Sequence, residues 1–272
     1  MPYTTSRDGT GLYYQDWGKG VPVVFSHGWV LGADMWEYQT TPLSNQGLRC
    51  IAFDRRGCGR SDRPGDGYDF DTLADDLADL LAHLDVRDIT LVGHSMGCGE
   101  ITRYLSRHRA GRVARVMLIA PTTPFLLQTD DNPHGIPNEA YAAMAAALGE
   151  NRPAWLAAAA PSFFGMNMPG STVGPELVEW ASALFMRSSA KATIELVTAM
   201  CADQRAEMSA YTMPTAIVHG DADQISPFEI TGKRTAALIP HATISIYEGA
   251  SHGLFVTHKD RLNAELLDFV RS

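Results

Sequence analysis

Ile89-Thr90-Leu91-Val92-Gly93-His94-Ser95-Met96-Gly97 is the stretch that decides the fold. Its first residues form an apolar, β-branched run of the kind that becomes a buried strand. Beyond it, Cys98-Gly99-Glu100-Ile101-Thr102-Arg103-Tyr104-Leu105 reads as a helix. Between the two stands a G-x-S-x-G pentapeptide. A serine on a sharp strand-to-helix turn is held in a strained, exposed conformation, and the next backbone N–H can face the same point as its hydroxyl. The flanking glycines have a steric reason, because helix and neighbouring strand pass too close for a side chain. The pentapeptide alone also occurs in ordinary Gly-rich turns. Strand before and helix after supply the context that gives it chemical meaning.

The same alternation runs outward in both directions. Leu12–Trp17 reads as a strand, paired with the start of the chain through the turn Asp8-Gly9-Thr10-Gly11. Val21–Ser26, Leu48–Phe53 and Val113–Ile119 read as further strands. Leu73, Leu77, Leu80, Leu81 and Leu84 recur at helical spacing, so Thr72–Leu84 is a helix that Asp69 or Asp71 can cap. Past Pro121 the pattern changes. Asn138–Ala160 is dominated by alanine, and Phe163, Phe164, Trp180, Phe185 and Met186 follow without a convincing β-run. Strand character resumes at Thr215–Gly220, then a helix over Phe228–Leu238, a strand over Thr243–Tyr247 and a helix over Leu262–Val270. Alternating strands and helices imply parallel pairing and right-handed crossovers. The expectation is one α/β core, from 1–120 and 214–272, with 121–213 inserted as a helical lid.

Composition narrows the function classes. A chain of 272 residues, 45% apolar and 19% charged, can bury a large core. No apolar stretch is long enough for a membrane span, and the N-terminal residues lack the basic and apolar regions of a signal peptide. The net charge of -9 disfavours a nucleic-acid partner, whose phosphates need a basic surface. Cys50, Cys58, Cys98 and Cys201 form neither a C-x-x-C pair nor a zinc-like cluster. Free thiols in a reducing, cytoplasmic compartment are the expectation, with Cys50 packed in the core.

A serine hydroxyl at neutral pH is a poor nucleophile without a base, and the base needs an orienting carboxylate. In open α/β sheets such groups sit at the carboxyl ends of strands. His252, in Gly249-Ala250-Ser251-His252-Gly253 after the strand Thr243–Tyr247, is the best placed of the histidines. His94 is expected to point to the opposite side of its turn, and His27 and His219 to pack or hydrogen-bond at strand ends. Asp221 and Asp223 compete for the carboxylate role in the loop after Thr215–Gly220. An oxyanion hole needs two fixed N–H donors. Met96 supplies one, and Trp29, in the turn His27-Gly28-Trp29 after Val21–Ser26, supplies the other. The competing reading makes Trp29 a packing residue only.

Together these segments resemble the α/β-hydrolase superfamily. The resemblance covers nearly the whole chain: His27-Gly28-Trp29, Asp54-Arg55-Arg56-Gly57-Cys58-Gly59-Arg60-Ser61, Gly93–Gly97, Asp223-Gln224-Ile225-Ser226-Pro227 and Ser251-His252-Gly253. Finer likeness is to the bacterial aryl esterases and cofactor-free haloperoxidases (perhydrolases), through Phe25-Ser26-His27-Gly28-Trp29, Asp34-Met35-Trp36-Glu37-Tyr38-Gln39 and Ile51–Gly57. A related γ-lactamase branch shares Asp131-Asn132-Pro133. The resemblance implies an eight-stranded, mostly parallel sheet and selects Asp223 as the acid, leaving Asp221 to shape the turn. The order is then Ser95, Asp223, His252. It implies hydrolysis of small carboxylic esters through an acyl-enzyme, with no metal or organic cofactor. Lactam opening, perhydrolysis and a non-catalytic receptor are the alternatives. Trp29, Val30, Phe125, Ile225 and Leu254 are expected to line the pocket. Many members carry Phe where this chain has His94, so packing behind the serine differs. Some efficient perhydrolases carry proline at the position of Val30, which favours plain ester hydrolysis here. The implied partner is a small ester or amide, without nucleic acid or membrane, and homo-oligomers are implied too.

Overall fold

The computed structural model describes residues 2–272. Tyr3–Thr5 (β1) and Gly11–Trp17 (β2) form an antiparallel hairpin. Val21–Ser26 (β3), helix Glu37–Asn45 (α1), Leu48–Phe53 (β4), helix Phe70–His83 (α2), Ile89–His94 (β5), helix Met96–His108 (α3) and Val113–Ile119 (β6) follow in alternation. Three helices come next: Asn138–Phe163 (α4), Pro175–Met186 (α5) and Ala190–Ala199 (α6). The core resumes with Thr215–Gly220 (β7), Gly232–Leu238 (α7), Thr243–Tyr247 (β8), Leu254–Thr257 (α8) and Lys259–Arg271 (α9). The sheet has eight strands in the order β1-β2-β4-β3-β5-β6-β7-β8, with β3 to β8 parallel to one another.

The order reverses at β3, which pairs with β4 on one side and β5 on the other. The chain goes from β3 to one flank and returns to the other, so a crevice opens beyond the carboxyl ends of β3 and β5. Trp29 and Ser95 follow those two ends. Period-two burial fixes which face each strand residue serves. Cys50 and Ala52 pack with the core under α1 and α9, whereas Ile51 and Phe53 pack with the leucines of α2 and with α3. Asp69 caps α2, its side chain accepting from Thr72 N.

Two local departures from the sequence reading have plain causes. The helix over Phe228–Leu238 is a short 3₁₀ turn, Phe228–Ile230, and then α7, interrupted at Thr231 with φ -125° and ψ -89°. Helix α4 is broken at Asn151, φ -151° and ψ 77°, just ahead of Pro153. Proline removes a helical donor and clashes with the preceding turn, and Asn151 Oδ1 restarts the helix by accepting from Ala154 N at 3.1 Å. Among the described residues no helix is long and apolar enough to cross a membrane.

Candidate active site

Ser95 sits at the junction of β5 and α3 with φ 54° and ψ -120°, a region costly for any residue with a side chain. Its N–H is tied to Ile119 O at 2.9 Å. A Cβ on Gly97 would lie 2.4 Å from Ser26 O, so only glycine lets α3 approach β3 this closely. Ser95 Oγ has no hydrogen-bond partner among the described residues and lines the cavity described below. Met96 is the first residue of α3, so its N–H is one of the donors a helix start leaves open.

The turn after β3 brings Trp29 to the same crevice. Its indole Nε1 donates to Thr193 O at 3.2 Å, which ties the ring to α6. Its backbone N–H has no acceptor among the described residues.

His252 lies in the loop after β8, with Nδ1 2.7 Å from Asp223 Oδ2 and both side chains buried. Asp223 Oδ1 accepts from the N–H groups of Ile225 and Ser226, each at 2.8 Å. Its Oδ2 is also 3.4 Å from His219 Nε2. Burial raises the Asp223 pKa, but the charge of His252 and hydrogen bonds from His219 and His252 outweigh it and hold the group well below the usual carboxylate range. Asp221 instead accepts from Gly249 N at 2.7 Å in an exposed turn. With Nδ1 engaged by Asp223, His252 keeps Nε2 for the cavity, which Ser95 shares.

His94 does not point away from the site. Its ring lies 4.7 Å from that of His252, and its Nε2 is 3.0 Å from His252 O. A carbonyl can only accept, so Nε2 carries the proton. Nδ1 is buried without a partner. Burial first, then the charge of His252, lowers its pKa to about 3. Strand alternation accounts for the placement: His94 ends β5 on the same face as Val92, against Trp36, Phe163 and Phe255, and the loop after β8 brings the imidazole of 252 over that face.

The cavity has a volume of about 420 Å³. Trp29, Trp155, Phe163 and Phe185 form an aromatic wall, with Trp29 edge-on to Trp155 at 5.9 Å. Ile225 also lines it. Val30, Phe125 and Leu254 do not. Val30, in the turn after β3, and Leu254, the first residue of α8, are fully buried in the core. Phe125 lies under the Arg205 guanidinium, 4.9 Å from ring centre to Cζ. The sequence reading offers the aromatics of 121–213 as core packing or pocket wall without assigning them singly, and the structure puts Trp155 and Phe163 on the wall. The sequence reading missed Thr122, whose hydroxyl donates to Ser95 O at 3.3 Å.

Residues 21–259 match the family described as alpha/beta hydrolase fold. The chain is 42% identical to the non-heme chloroperoxidase of Kitasatospora aureofaciens over 99% of both chains. It is 37% identical to the bifunctional esterase/perhydrolase of Acinetobacter calcoaceticus over 100% of both. The crystal structure of bromoperoxidase from Bacillus anthracis superposes with a TM-score of 0.95, at 34% identity and covering 100% of each chain. The serine elbow, the sheet order and these likenesses agree: the chain belongs to the alpha/beta hydrolase fold family.

Proposed function

We propose that this chain is a serine hydrolase of small carboxylic esters. Ser95 Oγ attacks the ester carbonyl while His252 Nε2 takes its proton. The proton then passes to the leaving alcohol, and an acyl group stays on Ser95. Asp223 holds the imidazole by Nδ1 and stabilises the imidazolium. The N–H groups of Trp29 and Met96 stabilise the oxyanion. Water, with His252 as base, frees the acid. Residues 121–213 act as the lid that closes an apolar room over this chemistry. The observation that supports the reading most is the 2.7 Å contact between His252 Nδ1 and Asp223 Oδ2, with Ser95 and His252 on one cavity.

A second reading is favoured by the relatives named chloroperoxidase and esterase/perhydrolase. On the same acyl-enzyme, hydrogen peroxide replaces water: its oxygen bonds to the acyl carbon, Ser95 regains a proton, and a peracid leaves. That peracid can oxidise halide and revert to the carboxylic acid.

A fluorophosphonate probe and a substrate panel test the reading. Ser95 is labelled, Ser95→Ala is not, and p-nitrophenyl esters of short acids turn over faster than a bicyclic γ-lactam. Lactam turnover far above any ester would make the chain an amidase, and an unlabelled Ser95 would leave only a binding role.

A further inference from the structure

Each carbonyl in the turn His27-Gly28-Trp29 has a buried donor. Arg55 Nη2 donates to His27 O at 2.9 Å, and Arg55 Nη1 to Trp29 O at 2.8 Å. Gly28 O lies 2.7 Å from His27 Nδ1 and also accepts from the backbone N–H of Leu31, at 3.1 Å. The tautomer follows from the other ring nitrogen. The backbone N–H of Arg55 donates to His27 Nε2 at 3.0 Å, so Nε2 presents a lone pair and Nδ1 carries the proton. Burial, then the Arg55 charge, keeps this imidazole neutral. Nδ1 is also 3.3 Å from Arg55 Nη1, but two donors cannot bond each other, so the proton goes to Gly28 O.

The Gly28–Trp29 peptide is trans and planar, so its C=O and N–H point in opposite directions. Whatever fixes Gly28 O therefore aims Trp29 N–H. The Arg55 guanidinium rests in turn on Glu100 Oε2, with Nε at 3.0 Å and Nη2 at 2.5 Å, both side chains fully buried. Ser26 Oγ donates to the same oxygen at 2.7 Å. Glu100 belongs to α3, the helix that opens with Met96. One buried ion pair thus joins the turn holding one candidate oxyanion donor to the helix holding the other.

We propose that His27, Arg55 and Glu100 are positioning residues that aim the Trp29 N–H at the developing oxyanion and fix its spacing from the Met96 N–H. The inference rests on the ester-hydrolase reading. Such a unit acts on charge that appears in the transition state, so it governs kcat and leaves ground-state binding alone.

The test compares wild type with H27Q, H27N and R55K. Each is assayed for p-nitrophenyl acetate kinetics, affinity for phenylboronic acid as a tetrahedral mimic, and thermal unfolding. The Gln amide overlaps Nε2 and drops the side-chain donor to Gly28 O, leaving only the Leu31 N–H, whereas the Asn amide overlaps Nδ1 and keeps both. Loss of one oxyanion donor costs about 10²-fold or more in kcat, and H27Q, which loosens the Gly28–Trp29 peptide while Leu31 N–H still holds Gly28 O, is expected to lose about tenfold. Its KM stays within about twofold, since uniform binding is untouched. Boronate affinity falls with kcat, and H27N recovers most of the loss, consistent with a donor restored. R55K behaves like H27Q, because an ammonium cannot serve two carbonyls and Glu100 with one planar fork. It carries the test if H27Q does not fold. Equal losses in H27Q and H27N, a loss confined to KM, or unchanged boronate affinity alongside a fallen kcat overturns the inference alone. A wild type that forms no Ser95 adduct overturns the hydrolase reading, and the inference with it.

Discussion

His94 donates from Nε2 to the main-chain carbonyl of His252 at 3.0 Å, so the residue before the candidate nucleophile holds the loop of the candidate base. Phenylalanine at 94 keeps the ring packing against Phe163 and Phe255 but removes this bond. One buried hydrogen bond contributes about 1 kcal/mol, so His94→Phe is expected to lower kcat about threefold to tenfold. KM stays near the wild-type value. Steady-state kinetics on a p-nitrophenyl ester check this, and an unchanged kcat contradicts it.

The same substitution changes how stability depends on pH. His94 has a folded pKa of about 3 against an ordinary 6.5. Between those values the unfolded chain carries a proton that the native state refuses. Stability therefore falls as pH drops through this window, and Phe at 94 removes that loss. Going from pH 7 to pH 5, the wild type is expected to lose about 2 kcal/mol more than His94→Phe. Urea unfolding of both proteins at the two pH values measures it. Parallel losses would show that position 94 is not the source.

The cavity has an aromatic wall and no lysine or arginine among its lining residues. A substrate whose acyl group ends in a carboxylate would bury an unpaired charge there, at a cost of at least about 3 kcal/mol. p-Nitrophenyl hexanoate is therefore expected to exceed mono-p-nitrophenyl glutarate about 100-fold or more in kcat/KM. Comparable values for the two esters would contradict a closed apolar room.

Away from the site, Arg56 donates twice to Asp76, from Nε and Nη2, each at 2.6 Å, with both side chains buried. Asp76→Asn leaves a buried cation without its carboxylate and is expected to cost about 3 kcal/mol, the low end for such a loss. The low end is chosen because Asp8 also reaches Arg56 Nη2, at 2.8 Å. Denaturant unfolding gives the loss, and active-site titration should show unchanged kcat per folded molecule.

Strand ends were the legible part of this sequence. Gly93–Gly97 and the apolar runs around it carry local periodicity, so the alternating strands and helices of the core follow from patterning, and the eight-stranded sheet that the resemblance implies is the one observed. Ser95 and His252 stand next to such ends and are legible there, whereas loop position left Asp221 and Asp223 competing and the resemblance chose Asp223. Helix faces in 121–213 are different. Trp155 and Phe163 reach the cavity only because α4 breaks at Asn151 and lies over the sheet in one particular way. Val30 and Leu254 show the converse, close to the site in sequence yet turned into the core. His94 illustrates a third limit. Alternation along β5 puts it on the face of Val92, but only the tertiary path of the loop after β8 brings the imidazole of 252 over that face.

The central claim is that Ser95 carries the acyl group during turnover. Rapid-quench mass spectrometry after mixing with p-nitrophenyl acetate, with peptide mapping, tests it most directly. The account predicts a transient acetyl group on Ser95, formed at the rate of the p-nitrophenol burst and absent from Ser95→Ala. Steady ester hydrolysis by Ser95→Ala at the wild-type rate, or an acetyl group on any other residue, would contradict it.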